Sequence, residues 1–331
     1  MTQLQSSVAS APSNCLNDDE DEDDYEQFAL ILRVRFKQFL AELLGTFVFV
    51  YLGQSALTSF ELIGTQNDML TRQFATILSY GLAYAFACLL TLNLSGAHLN
   101  PAYTFASATF GQLSWPRALS YFCAQYLGAF VAAIFLHATY SDKLTQRHTE
   151  GLLSGMNASL RAHGNILSTG KLFASHPPTE VSLGQLTISY TLATAHLTLL
   201  ILAINDSRLI RIAKSLRPMY LAGALCLVLA AFSANGGPVW NPAQDFSPRL
   251  YIALFGWGSS AFNLYNYKYW CFCGLVAPHL GALIGFALYR LFDHLRAITE
   301  EQHHSSPSSR HGLQLEKHHQ QHHFHQHVNL V

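Results

Sequence analysis

The tripeptide Asn-Pro-Ala occurs twice, at Asn100, Pro101 and Ala102 and again at Asn241, Pro242 and Ala243. Asparagine is a favoured helix N-cap and proline a favoured first helical residue, so each tripeptide predicts a helix start capped by Asn100 or Asn241. The residues just before each cap, Gly96, Ala97, His98 and Leu99 in one copy and Gly237, Pro238, Val239 and Trp240 in the other, would present a column of backbone carbonyls. An amide that donates beside carbonyls that accept suits a neutral, hydroxyl-bearing molecule moving in single file. Two such helix starts meeting end to end would each focus about half a positive charge, which repels cations, a hydrated proton included.

The elements that must position these groups are apolar. Half of the 331 residues are hydrophobic and only 12% are charged, against about 25% charged in an ordinary soluble domain. Eight of the 20 acidic residues crowd into 18–26 and ten of the 17 histidines lie from His294 onward, so the middle is more apolar still. Six stretches have the roughly 20-residue length that spans a bilayer: 39–60, 74–94, 119–140, 183–204, 219–234 and 269–292. Each Asn-Pro-Ala follows one of them, the second and the fifth, and heads an apolar segment too short to cross.

The two tripeptides lie 141 residues apart (241 minus 100), and this offset carries the first and second stretches onto the fourth and fifth. The chain thus reads as an internal repeat of three spans and a half-helix. An odd number of spans turns the second copy upside down, which places a transport pathway at the repeat interface. The expected fold is an all-α membrane protein of six transmembrane helices plus two reentrant half-helices in an inverted repeat. With both termini cytoplasmic, 12 of the 19 lysines and arginines fall on the inner side, as the positive-inside rule asks. The glycosylation sequon at Asn157 then lies outside.

Four segments, 41–46 (AELLGT), 95–104, 125–129 (QYLGA) and 241–250, resemble signatures of the aquaporin, or major intrinsic protein, family, and the likeness runs over about 37–296. It implies a passive channel, assembled as a homotetramer with one pore per subunit, in a cell's plasma membrane. Asp245 and Arg249, four residues apart after the second tripeptide, resemble the aquaglyceroporin branch and imply an acid–base pair that braces a loop. The resemblance also implies a buried role for Glu42, accepting backbone N–H bonds from a reentrant loop. Its repeat partner falls at Tyr190, so the second loop is expected to be braced differently, the Tyr190 hydroxyl being one way.

By the same resemblance the narrowest point combines Tyr80, 20 residues before Asn100, with a fifth-span residue, Ala231 or Leu229, and with Pro238 and Gln244 from the second loop. Two of these depart from the family pattern. Pro238 stands where an aromatic is usual, and Gln244 where an arginine is expected. Glutamine is neutral, and both donor and acceptor, so the filter is expected to be wider and its cation barrier weaker. The implied solutes are glycerol, other small neutral molecules and water.

Domain boundaries are expected at 1–36 (an acidic, unstructured tail), 37–296 (the channel) and 297–331 (a histidine-rich, unstructured tail). Five of the six cysteines sit inside apolar runs and not at disulfide or zinc spacings, and no cofactor, metal or nucleic-acid partner is expected. Nothing in the apolar body pairs a nucleophile with a base, so no enzymatic activity is expected either. A water-selective channel, an ion-coupled carrier and a non-conducting scaffold are the alternatives. Glu42 is the one acid within a predicted span, which disfavours the carrier, and a scaffold leaves the paired motifs unexplained.

Overall fold

The computed structural model describes residues 18–63, 69–153, 169–178, 180–209 and 211–305, and within them every regular element is a helix. In chain order these are α1 (Asp18–Ile63), α2 (Met69–Ser95), α3 (Pro101–Thr109), α4 (Trp115–Leu153), α5 (Leu183–Asn205), α6 (Arg217–Ala231), α7 (Pro242–Ile252) and α8 (Ala277–Ser305). A π-helical stretch, Trp270–Val276, leads directly into α8. Among the described residues five helices are long and apolar enough to cross a membrane, and Arg217–Ala231 is a shorter apolar helix. At 15 residues it reaches about 22 Å. The helix stops before the expected Ala234 because a 3₁₀ turn at Ser233–Asn235 is followed by Gly236 and Gly237 with φ of 91° and 80°.

The inverted repeat shows in which helices touch. In the first half α1 packs on α2 and α4, and in the second half α5 packs on α6 and α8. Each half-helix crosses over: α3 lies against α8 and α7 against α4. Glycines allow the closest approaches at equivalent places. A Cβ on Gly128 of α4 would come within 2.5 Å of the Leu43 carbonyl of α1, and one on Gly281 of α8 within 2.3 Å of the Thr191 carbonyl of α5. Outward faces carry large apolar side chains such as Phe86, Leu192, Leu227 and Leu288, each more than 40% exposed. Such a belt suits lipid rather than water.

Helix extends into both expected tails. α1 is already helical at Asp18, well inside the tail expected through residue 36, and α8 continues past 297 to Ser305. No glycine or proline interrupts 18–44, and the acidic run lies at the helix N-terminus, where negative charge is favourable. The histidine-rich stretch from 306 onward and the Asn157 sequon lie outside the described residues.

Candidate functional site

Asn100 and Asn241 cap α3 and α7, each in an extended conformation, and each accepts from the backbone N–H two residues on, Ala102 at 2.9 Å and Ala243 at 3.0 Å. The amides cross. Asn100 Nδ2 donates to the Trp240 carbonyl at 2.9 Å, and Asn241 Nδ2 donates to the Leu99 carbonyl at 2.7 Å. The two half-helices therefore meet start to start, locked by reciprocal bonds. An amide carries two protons, so each asparagine keeps one more donor beyond the lock. Within the second loop, Trp240 and not Val239 supplies the locking carbonyl.

The first loop is strained, and Glu42 of α1 holds it. Gly96, Ala97 and Leu99 all have positive φ, at 91°, 52° and 49°, which costs a non-glycine residue about 1–2 kcal/mol. The fully buried Glu42 carboxylate accepts from His98 N at 3.0 Å and Leu99 N at 2.7 Å, and also from Ser95 Oγ and Gln125 Nε2. The second loop needs no such anchor, because Gly236 and Gly237 adopt positive φ without a Cβ penalty. Asn235 Nδ2 donates to Ser189 Oγ at 3.2 Å there. The Tyr190 hydroxyl turns instead toward the Tyr269 hydroxyl, 3.4 Å away.

A cavity of about 660 Å³ runs from Asn241 to the ends of α1 and α2. Tyr80, Pro238 and Gln244 line it together. The fifth-span residue beside them is Leu229. Ala231 is exposed, one turn on from the exposed Leu227 and on the same face of α6, so its place in the expected filter passes to Leu229. The Tyr80 hydroxyl donates to Gln54 Oε1, and the Gln54 amide donates to the Leu172 carbonyl, which fixes the aromatic wall.

Asp245 and Arg249 form a buried pair on α7, with guanidinium-to-carboxylate distances of 2.8 and 3.1 Å. Together they pin the loop that carries Ser175. Asp245 accepts from Ser175 N at 2.9 Å, while Arg249 donates to the Ser175 carbonyl at 2.7 Å and the Ala261 carbonyl at 2.8 Å. His176, next in that loop, also lines the cavity. Burial first, then the Arg249 guanidinium, lowers its pKa to about 4, so the imidazole is neutral at neutral pH.

Gly96 and Tyr103 open onto a second cavity of about 590 Å³. Asp206 and Arg208 line it, and Arg208 bridges Asp206 to Asp293, which pairs with Arg296 at 2.7 Å. The Arg208 side chain holds the Asp206 carboxyl well below the usual carboxylate range.

Gln54 escaped sequence reasoning, because a lone glutamine in an apolar span carries no distinctive spacing. Ser95 and Trp240 were legible only as members of their loops, and the bonds they make to Glu42 and Asn100 were not.

A bundle of membrane-length helices with two capped half-helices meeting between two cavities defines a multi-pass membrane channel. The profile described as "Major intrinsic protein" matches residues 32–289, and the chain belongs to that family, the aquaporins. It is 31% identical to Aquaporin-9 of Rattus norvegicus over 81% of this chain and 85% of that one, and 34% identical to Aquaporin-10 of Homo sapiens over 78% and 83%. Among solved structures it is similar to the aquaglyceroporin from Plasmodium falciparum, with a TM-score of 0.65, 25% identity, and coverage of 77% of this chain and 95% of that one. The protein is accordingly a passive channel for water or small solutes and not an enzyme.

Proposed function

We propose that this channel passes glycerol, other small neutral solutes and water, driven only by their gradients. One observation carries the reading: Tyr80, Leu229, Pro238 and Gln244 line one cavity that leads to Asn241. The second protons of Asn100 and Asn241 donate to a passing hydroxyl, which in turn donates to the carbonyls of Gly96, Ala97, His98, Leu99, Gly237 and Val239. Pro101, Ala102, Pro242 and Ala243 begin the half-helices whose positive ends keep protons out. Glu42 braces the inner loop, and Asp245 with Arg249 the outer one. Gln244 leaves the filter neutral and wider than an arginine would, which favours polyols larger than glycerol as further solutes.

The similarity to an aquaglyceroporin structure and the Asp245–Arg249 pair both favour this branch over a water-selective one. A homotetramer in the plasma membrane, with cytoplasmic termini and a glycan on Asn157, completes the reading. Stopped-flow light scattering on proteoliposomes tests it. Fast glycerol uptake, with larger polyols admitted by the wild type and excluded by Gln244→Arg, is expected. Water flux without glycerol flux would move the protein to the water-selective branch.

A further inference from the structure

Above the neutral filter, three cations gather on a single carboxylate. Glu61, near the end of α1, is approached by Lys171 Nζ at 3.0 Å, Arg72 Nη1 at 3.6 Å and Arg147 Nη2 at 3.9 Å. Arg147 also donates to the Glu61 backbone carbonyl at 2.7 Å. These residues come from α1, α2, α4 and the loop that carries Ser175, so the cluster is a tertiary feature that no one segment encodes. Glu61, Arg72 and Lys171 line the same cavity as Tyr80 and Gln244.

The charges do not balance. Among the described residues, three guanidinium or ammonium groups against one carboxylate leave the cluster at +2. The other acid lining the cavity among the described residues, Asp245, is neutralised by Arg249. Arg72 keeps an unused donor, since its buried Nε has no hydrogen-bond partner among the described residues. A cavity with low-dielectric walls focuses such a field on whatever enters it.

We propose that Arg72, Arg147 and Lys171 form a cationic collar at the outer mouth, which excludes cations from the pore and supplies the charge that Gln244 does not supply at the filter. The inference rests on the reading that solutes reach the filter through this cavity. Neutral polyols pass the collar because a net charge acts on them only through their dipoles. Cations meet it before they reach the half-helix dipoles.

Chemical modification reads the local potential directly. A cysteine reporter at Gln73, which lines the cavity beside Arg72, is treated with anionic and cationic methanethiosulfonate reagents, and the parent chain without the reporter corrects for native thiols. The anionic reagent should react about ten-fold faster than the cationic one, relative to their rates with a free thiol. This preference should collapse when Arg72→Gln and Lys171→Gln are added, and in 1 M salt, where screening shortens the field to about 3 Å. A second measurement uses the chain without the reporter. Sodium conductance in planar bilayers should rise at least ten-fold in the Arg72→Gln/Lys171→Gln variant and fall again when Gln244→Arg is added.

A reporter with no charge preference overturns the collar, as does a double variant that still conducts glycerol yet admits no more sodium than the wild type. Should the reporter prove unreactive, the conductance decides alone. Loss of glycerol flux in the wild type would instead defeat the channel reading and not the collar.

Discussion

Replacing Glu42 by glutamine removes one charge and one acceptor at a site that touches no solute, yet it should stop flux. Each carboxylate oxygen serves two donors: Oε1 accepts from Ser95 Oγ at 2.6 Å and His98 N at 3.0 Å, and Oε2 from Leu99 N and Gln125 Nε2, both at 2.7 Å. A glutamine amide must turn its NH₂ toward one of these pairs. Ser95 can rotate its hydroxyl and Gln125 can flip its own amide, but a backbone N–H can do neither. One of His98 N–H and Leu99 N–H is therefore left unpaired in the protein interior, at a cost of about 1–3 kcal/mol. Ala97 and Leu99 hold left-handed conformations worth about 1–2 kcal/mol each, which the weakened anchor no longer offsets.

The loop should relax, carrying the Leu99 carbonyl off Asn241 and misaligning the lock. Since 1.4 kcal/mol is about a factor of ten, we expect glycerol permeability per folded channel to fall at least ten-fold. Stopped-flow scattering gives the rate, and size exclusion with a thermal melt in detergent gives the folded fraction. Wild-type flux together with an unchanged melting temperature would refute the argument that Glu42 holds the pore loop.

Two further outcomes follow from the loop that carries Ser175 and His176. Arg249→Leu leaves the Asp245 carboxylate buried without its cation and frees the Ser175 and Ala261 carbonyls, so the thermal melt should show a loss of about 3–5 kcal/mol. Adding Asp245→Asn should recover part of that loss. Acid should also loosen this loop through His176. Its pKa is depressed from 6.5 to about 4, so the folded state favours the neutral imidazole. The contribution is full above about pH 6.5 and is lost as pH falls from there to about 4, a difference of at most about 3 kcal/mol. Melting temperatures recorded from pH 7 to 4 should decline less in His176→Gln than in the wild type.

The half-helix starts were legible because capping is local: Asn100 and Asn241 announce helices by residue type and by the proline that follows. The inverted repeat was legible because one offset aligned the tripeptides and two pairs of spans together. What stayed hidden depends on three-dimensional closure. The cross-bond from Asn100 to Trp240 joins residues 140 positions apart, and the Glu61 cluster draws on four separate segments, so spacing along the chain predicts neither. Leu229 and Ala231 were inseparable in sequence because both are apolar and two residues apart, and only the rotation of α6 distinguishes them. The extent of α1 was hidden for another reason. Charge and polarity argue against a buried core but not against a helix, and α1 begins at Asp18 without a glycine or proline to stop it before Gly45.

The central claim is that a solute crosses between the two capped half-helices. The most direct test is glycerol-driven volume change in proteoliposomes containing the wild type and, separately, a chain with both Asn100 and Asn241 replaced by alanine, matched for folded protein. Rapid glycerol entry in the wild type that falls to the empty-liposome rate in the double variant is the predicted result. Equal rates in the two, with both well above empty liposomes, would contradict it and place the pathway elsewhere in the molecule.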